Sequence, residues 1–208
     1  HYPLRRQRQM CIRDRHNLTA VTLRCSPELR YSCLPCLALS VLSEEGITNA
    51  CEADLSSAVT ALILKDLANT CPCTFDFGNM DKASNTIELW HCGFCWNTEL
   101  AETSEKLSLA ESPFGKGVYL SLCLKPGQVT LAKLDKECNK MLITEGEVIK
   151  PKEKREGGFA EVRLKDDVNE FLLKAAINGF EHHIVLVYGK IKDELLELCN
   201  ILGINAIL

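Results

Sequence analysis

The sequence predicts an α/β chain in two parts, a partial α/β domain over residues 16–92 and a mainly antiparallel, β-rich domain with helices over 93–208. Three observations point there. Residues 49–67 carry the clearest helical pattern, with Leu55, Ala58, Val59, Leu62, Ile63 and Leu67 recurring at helical spacing. Residues 118–124, 129–134 and 140–149 alternate apolar and polar side chains, which reads as an antiparallel meander. Between these regions, short apolar runs mix with polar connections.

Taken in order, residues 16–25 alternate and read as a short strand broken by Ser26-Pro27. Residues 33–45 read as a helix, with Leu37, Leu39, Val41 and Leu42 apolar and Pro35 in its first turn. Gly46 is its natural stop, because glycine takes the left-handed conformation without a steric cost. Residues 71–77 form a short apolar segment, 78–84 a polar loop and 86–90 a strand. Residues 97–116 read as a long surface connection, and Pro126-Gly127 suits a type II turn. The charged run at 151–158 reads as a solvated loop. A helix over 168–178, a buried strand over 184–188 and a helix over 193–202, stopped by Gly203, complete the chain.

Composition is that of a globular chain: 46% apolar, 25% charged, net charge −4. That balance gives no basic excess for nucleic acid, and no apolar run is long enough to span a membrane as a helix. The first fifteen residues depart from it, with five arginines against Asp14. A basic arm for nucleic acid or targeting is one reading. The string RQRQMCIRDR also resembles translated sequencing-adapter read-through, so residues 1–15 are expected as a non-native or disordered leader. With no methionine at position 1, the coding sequence is expected to continue upstream.

Twelve cysteines could indicate a disulfide scaffold, but many replace small core residues inside periodic segments, as Cys51, Cys123 and Cys199 do. Reduced thiols in a cytoplasm are therefore expected. The CxxC pairs Cys33/Cys36 and Cys92/Cys95 lie too far apart for a zinc ribbon, which leaves a zinc-binding module as the weaker reading.

The residues that can carry chemistry are two acids and a few histidines. Glu52 stands three residues after Asn49, which fits a capping box at a helix start. Asp76 sits between Phe75 and Phe77, and carboxylates in apolar segments are rarely buried unless paired or bound to metal. His91 ends a strand, and His182-His183 precedes the buried strand at 184–188. Two carboxylates and an imidazole can hold a hard divalent ion or move protons. No Walker lysine motif, GxGxxG or GxSxG is present.

The run CLALSVLSEEGITNACEADLSSAVTALIL resembles the L-fucose isomerase and related protein family of metal-dependent ketol-isomerases. FDFGNMD, NTIELWHCG, LKPGQVTLAKL, MLITEGEV and GFEHHIVLVYG follow in the same order. CEAD, WHCG and EHH are the specific part of the match. The residues Phe94, Cys95 and Trp96 depart from the usual pattern.

The resemblance implies an α/β fold in which the end of an α/β domain is followed by a mainly antiparallel β-barrel-like carboxyl-terminal domain with helices. It implies that Glu52 and Asp76 ligate metal and exchange protons with the sugar. The late histidine ligand falls in His182-His183, with His183 favoured, and His91 is a further candidate. Substrate-binding residues are not assigned. The implied activity is aldose–ketose isomerisation through an enediol, with Mn²⁺ or another divalent cation, in a cytoplasmic homo-oligomer. The alternative is a non-catalytic sugar-binding or regulatory protein on the same fold. The family's chains are roughly twice as long, so an amino-terminal α/β region is expected to precede this segment.

Overall fold

Six strands close into an antiparallel barrel in the computed structural model, which describes residues 2–29, 31–92, 97–102, 108–112, 114–151 and 156–208. Helix α1 (Tyr2–His16), strand β1 (Ala20–Leu23), helix α2 (Cys36–Glu44) and strand β2 (Thr48–Cys51) come first. Helix α3 (Leu55–Ala68), strand β3 (Cys73–Asp81) and strand β4 (Thr86–His91) follow, then the short β5 (Ser108–Glu111). Next are β6 (Val118–Cys123), β7 (Gly127–Leu134), β8 (Lys140–Ile149) and β9 (Gly158–Leu164). Helix α4 (Val168–Ile177), strand β10 (His183–Tyr188), helix α5 (Lys192–Leu202) and strand β11 (Asn205–Ile207) end the chain. None of the described helices is long and apolar enough to cross a membrane.

The barrel runs β7–β8–β9–β4–β3–β10 and returns to β7, every pairing antiparallel. Its interior is filled by Phe75, Leu89, Leu131, Val162, Ile184 and Leu186, and α4 adds Phe171. The other faces of β7, β8 and β10 are covered by α3 and α5, through Leu64, Leu134, Ile143, Val185 and Leu195. Strand β10 is therefore apolar on both faces, which is why it reads as an unbroken apolar run. Beside the barrel, β1 and β2 pair in parallel, joined by α2 as a βαβ unit. Its core is Val21, Leu39, Leu42, Ile47 and Tyr119.

Several expectations need correcting. The helix expected from residue 49 begins at Leu55; residues 48–51 are strand β2, so no Asn49–Glu52 capping box forms. Asn49 is buried and its amide instead donates to Leu39 O, Ile47 O and Ser43 Oγ, tying β2 to α2. The stripe on α3 does not face the core as a whole. Ser57, Ala58, Ala61 and Leu64 pack inward, while Leu55 is 70% exposed and Val59 and Leu67 are exposed too. Small inward residues let the helix lie close against β10 and β7.

The residues read as a polar loop at 78–84 continue β3 as far as Asp81, past an irregularity between Phe77 and Met80. Gly78 is needed there, since a Cβ would stand 2.7 Å from Glu88 O on the paired strand. The meander is only a hairpin: β7 pairs with β8, whereas β6 pairs with β5 and runs parallel to β9. Alternation marks which face a side chain takes, not which strand lies alongside.

Strands β3 and β4 belong to the barrel sheet, so a boundary near residue 92 runs between hydrogen-bonded strands. Residues 1–15, expected as a non-native or disordered leader, fall almost wholly in helix α1, whose Met10 packs on the α/β core. Cys95, the atypical Phe94 and Trp96, and residues 152–155 of the charged loop lie outside the described residues.

Candidate metal centre

Strand β2 delivers Glu52 to the barrel's edge through a tight reversal. Glu52 and Ala53 both take left-handed backbone, at φ 58° and 61°, which side chains larger than glycine rarely adopt. The turn is held by Ala53 N donating to Leu23 O at 3.1 Å and Asp54 N to Cys51 O at 3.0 Å. Such local strain persists only where surrounding structure fixes it, and it concentrates at functional sites. Asp54 then caps α3, its Oδ1 accepting from Ser57 N at 2.8 Å.

The opposite wall comes from the pairing of β3 with β10. Asp76 and His183 are direct partners in the register, which sets both side chains on one face. Asp76 Oδ1 lies 3.5 Å from His183 Nε2 and 3.6 Å from His182 Nε2. His182 Nε2 is 3.5 Å from Glu52 Oε2. Glu52, His182 and His183 each offer a ligand atom within 4.8 Å of the others, the one such cluster among the described residues. The structure thus brings together Glu52, Asp76 and both histidines of the EHH motif. His91 stays behind them, buried, with its ring 5.9 Å from that of His183 and its Nδ1 3.6 Å from Cys92 Sγ.

The four groups differ in exposure. His182 and Glu52 are open to solvent, Asp76 is partly covered and His183 is buried. Burial raises the Asp76 carboxyl above its ordinary value and Glu52 adds to this, while His183 and His182 pull the other way. His183 Nε2 is buried without a hydrogen-bond partner. A cavity of about 340 Å³ opens in front, lined by Glu52, Asp54, Lys136, Glu181, His182 and His183. At its rim Lys136 pairs with Glu181 at 2.9 Å. A larger cleft of about 490 Å³ near Gly46, Lys65 and Asn97 holds no histidine.

These residues fit a hard divalent cation. Carboxylate oxygens and imidazole nitrogen are suitable donors, and the buried His183 Nε2 makes no hydrogen bond among the described residues, with Asp76 Oδ1 standing off at 3.5 Å. Cys25 and Cys51 lie Sγ to Sγ at 3.4 Å beneath the Glu52 turn.

Sequence reasoning missed Asp54 and Lys133. Asp54 Oδ2 accepts from His183 Nδ1 at 2.9 Å, from Lys133 Nζ at 2.5 Å and from Ser57 Oγ at 2.7 Å. Burial works against the Asp54 carboxylate, but the hydrogen bonds from His183, Lys133 and Ser57 outweigh it and hold its pKa well below the usual range. An acid one residue before an amphipathic run is a legible cap. Its bond to a lysine 79 residues away is visible only in the fold.

Residues 91–208 match the family described as L-fucose isomerase, C-terminal domain. Curated relatives include a sulfoquinovose isomerase of Priestia aryabhattai, 28% identical over 194 residues, covering 90% of this chain and 43% of the relative. A sulfoquinovose isomerase of Alkalicoccus urumqiensis is 28% identical over 197 residues, 92% of this chain and 44% of its own length. One from Clostridium sp. (strain MSTE9) is 27% identical over 198 residues, again 92% and 44%. The chain thus spans less than half the length of these relatives.

Proposed function

From the premise that this chain belongs to the L-fucose isomerase C-terminal domain family, we propose that it is the carboxyl-terminal part of a metal-dependent aldose–ketose isomerase. The observation that carries this reading is the meeting of Glu52, Asp76, His182 and His183 from three separate segments of the chain, with Glu52, His182 and His183 lining one cavity and Asp76 beside both histidines. Glu52, Asp76 and His183 would hold the cation, with His182 beside them. Mn²⁺ is the ion proposed, in a cytoplasmic homo-oligomer, as the family resemblance implies. The names of the relatives make a sulfonated aldose a candidate substrate beside deoxy- and pentose aldoses.

Isomerisation moves one proton from C2 to C1 of the sugar and one from the C2 hydroxyl to the C1 oxygen, so atoms balance without a co-reactant. A divalent cation bound here would supply a Lewis acid for those two oxygens and lower the cost of the enediol. Glu52, open to the cavity, would take the carbon-bound proton and return it to the neighbouring carbon. Asp76, whose carboxyl is raised by burial, is suited to pass the proton between oxygens.

The test uses the complete gene product that carries this chain, assayed with Mn²⁺ on a panel of aldoses that includes sulfoquinovose. The wild type is expected to form the matching ketose. Glu52→Gln keeps size and an oxygen but cannot accept a proton, and should lower kcat by about 10²–10⁴-fold with an unchanged melting temperature. Equal activity in both proteins sinks the role of Glu52. A wild type inactive on every aldose moves the reading to a sugar-binding or regulatory protein.

A further inference from the structure

We propose that Asp54 is a positioning residue that holds the proton of His183 on Nδ1, turning the Nε2 lone pair toward Glu52, His182 and Asp76, with Lys133 anchoring Asp54 in that task. The inference rests on the reading of Glu52, Asp76 and His183 as the metal-binding set. It extends that set to residues that do not themselves face the ion.

The geometry is specific. An ionised carboxylate only accepts hydrogen bonds, so the 2.9 Å contact between Asp54 Oδ2 and His183 Nδ1 requires the proton on Nδ1. A neutral imidazole has one N–H, which leaves Nε2 as the acceptor and ligand nitrogen. That nitrogen is the buried one without a hydrogen-bond partner. Leaving a buried polar atom unsatisfied carries a desolvation cost that a ligand would recover. A carboxylate behind a metal-facing histidine fixes both the tautomer and the ring angle.

Helix capping does not account for the rest of the arrangement. A cap needs one oxygen, and serine or asparagine serves as well as aspartate. Here Oδ1 takes the cap while Oδ2 faces His183 and Lys133. Lys133 is 1% exposed at its side chain, with Nζ on Asp54 Oδ2 at 2.5 Å and on Ser57 Oγ at 2.7 Å. Lysine is almost never fully buried unless paired. Its ammonium keeps the carboxylate ionised and directs Oδ2, so that the imidazole meets an acceptor and not a hydroxyl.

The test reads the tautomer directly. ¹⁵N-histidine-labelled protein, free of metal, should show His183 protonated on Nδ1 by NMR. Asp54→Asn retains the cap through its oxygen and turns an N–H₂ toward His183, which should move the ring proton to Nε2. Mn²⁺ affinity, followed by electron paramagnetic resonance, should then fall about 10–100-fold. Because the new amide faces the Lys133 ammonium, the Asp54→Asn/Lys133→Met double variant removes that conflict if the single one unfolds, and should show the same tautomer. A wild-type His183 protonated on Nε2, or an unchanged tautomer in both variants, overturns the proposal. The expected switch in the variants, with a wild type that binds no Mn²⁺, supports the positioning by Asp54 and counts against the metal reading alone.

Discussion

Ala53 shows at the scale of one residue how the Glu52 turn is built. Its φ of 61° suits glycine, costs alanine a little and conflicts with a β-branched side chain. Ala53→Val should therefore lower stability by roughly 1–3 kcal/mol, and Ala53→Gly should not lower it by more than about 1 kcal/mol. Urea unfolding of the three proteins compares them; equal loss in both variants would mean the turn relaxes freely. Asp167 offers a second residue-scale check. It caps α4 by accepting from Glu170 N and Asn169 N, and those bonds hold its carboxyl below the ordinary value. A carboxylate with a depressed folded pKa contributes stability above its unfolded pKa and loses it as pH falls through the folded one. Asp167→Ala should thus melt below the wild type at neutral pH, and the gap should close as the pH drops below about 4. A gap that persists in acid would assign the loss to something other than the charge.

At the scale of the element, α3 separates what periodicity reveals from what it does not. The helix itself was legible, because Leu55 to Leu67 repeat at helical spacing. Its inward face was not, because the inner residues are mostly small and polar, as Ser57, Thr60 and Ala61 are. Only packing against β7 and β10 makes them core. Leu64, fully buried, should cost about 2–5 kcal/mol when cut to alanine, while Leu55→Ala should stay within about 0.5 kcal/mol. The reverse order, measured by denaturant unfolding, would place the helix the other way round. The start of the helix was misread for a related reason: Asn49 looks like a cap in sequence but spends its amide on α2 and β2.

At the scale of the whole molecule, the barrel decides which distant residues meet. Alternation located β7 and β8 but gave no sign of β9, and the order β7–β8–β9–β4–β3–β10 depends on long-range pairing that no local pattern encodes. The candidate ligands Glu52, Asp76 and His183 were legible through motif resemblance; Asp54 and Lys133 were not, since neither belongs to a local signature of ligands. Closure itself can be probed at Gly146, where a Cβ would meet Arg163 O at 2.5 Å across the β8–β9 seam. Gly146→Ala should destabilise by roughly 1–3 kcal/mol, read as a lower denaturant midpoint. No change would mean that the seam is loose.

Glu52, Asp76 and His183 are proposed to share one divalent cation beside the 340 Å³ cavity that Glu52 and His183 line. Crystals of the protein grown with Mn²⁺ test it most directly, by anomalous diffraction at the manganese edge. One strong peak is expected, with a Glu52 oxygen, an Asp76 oxygen and His183 Nε2 at roughly 2.0–2.6 Å from it. Glu52 and Asp76 turned away from an ion held elsewhere, or no peak in the cavity at saturating Mn²⁺, would contradict it.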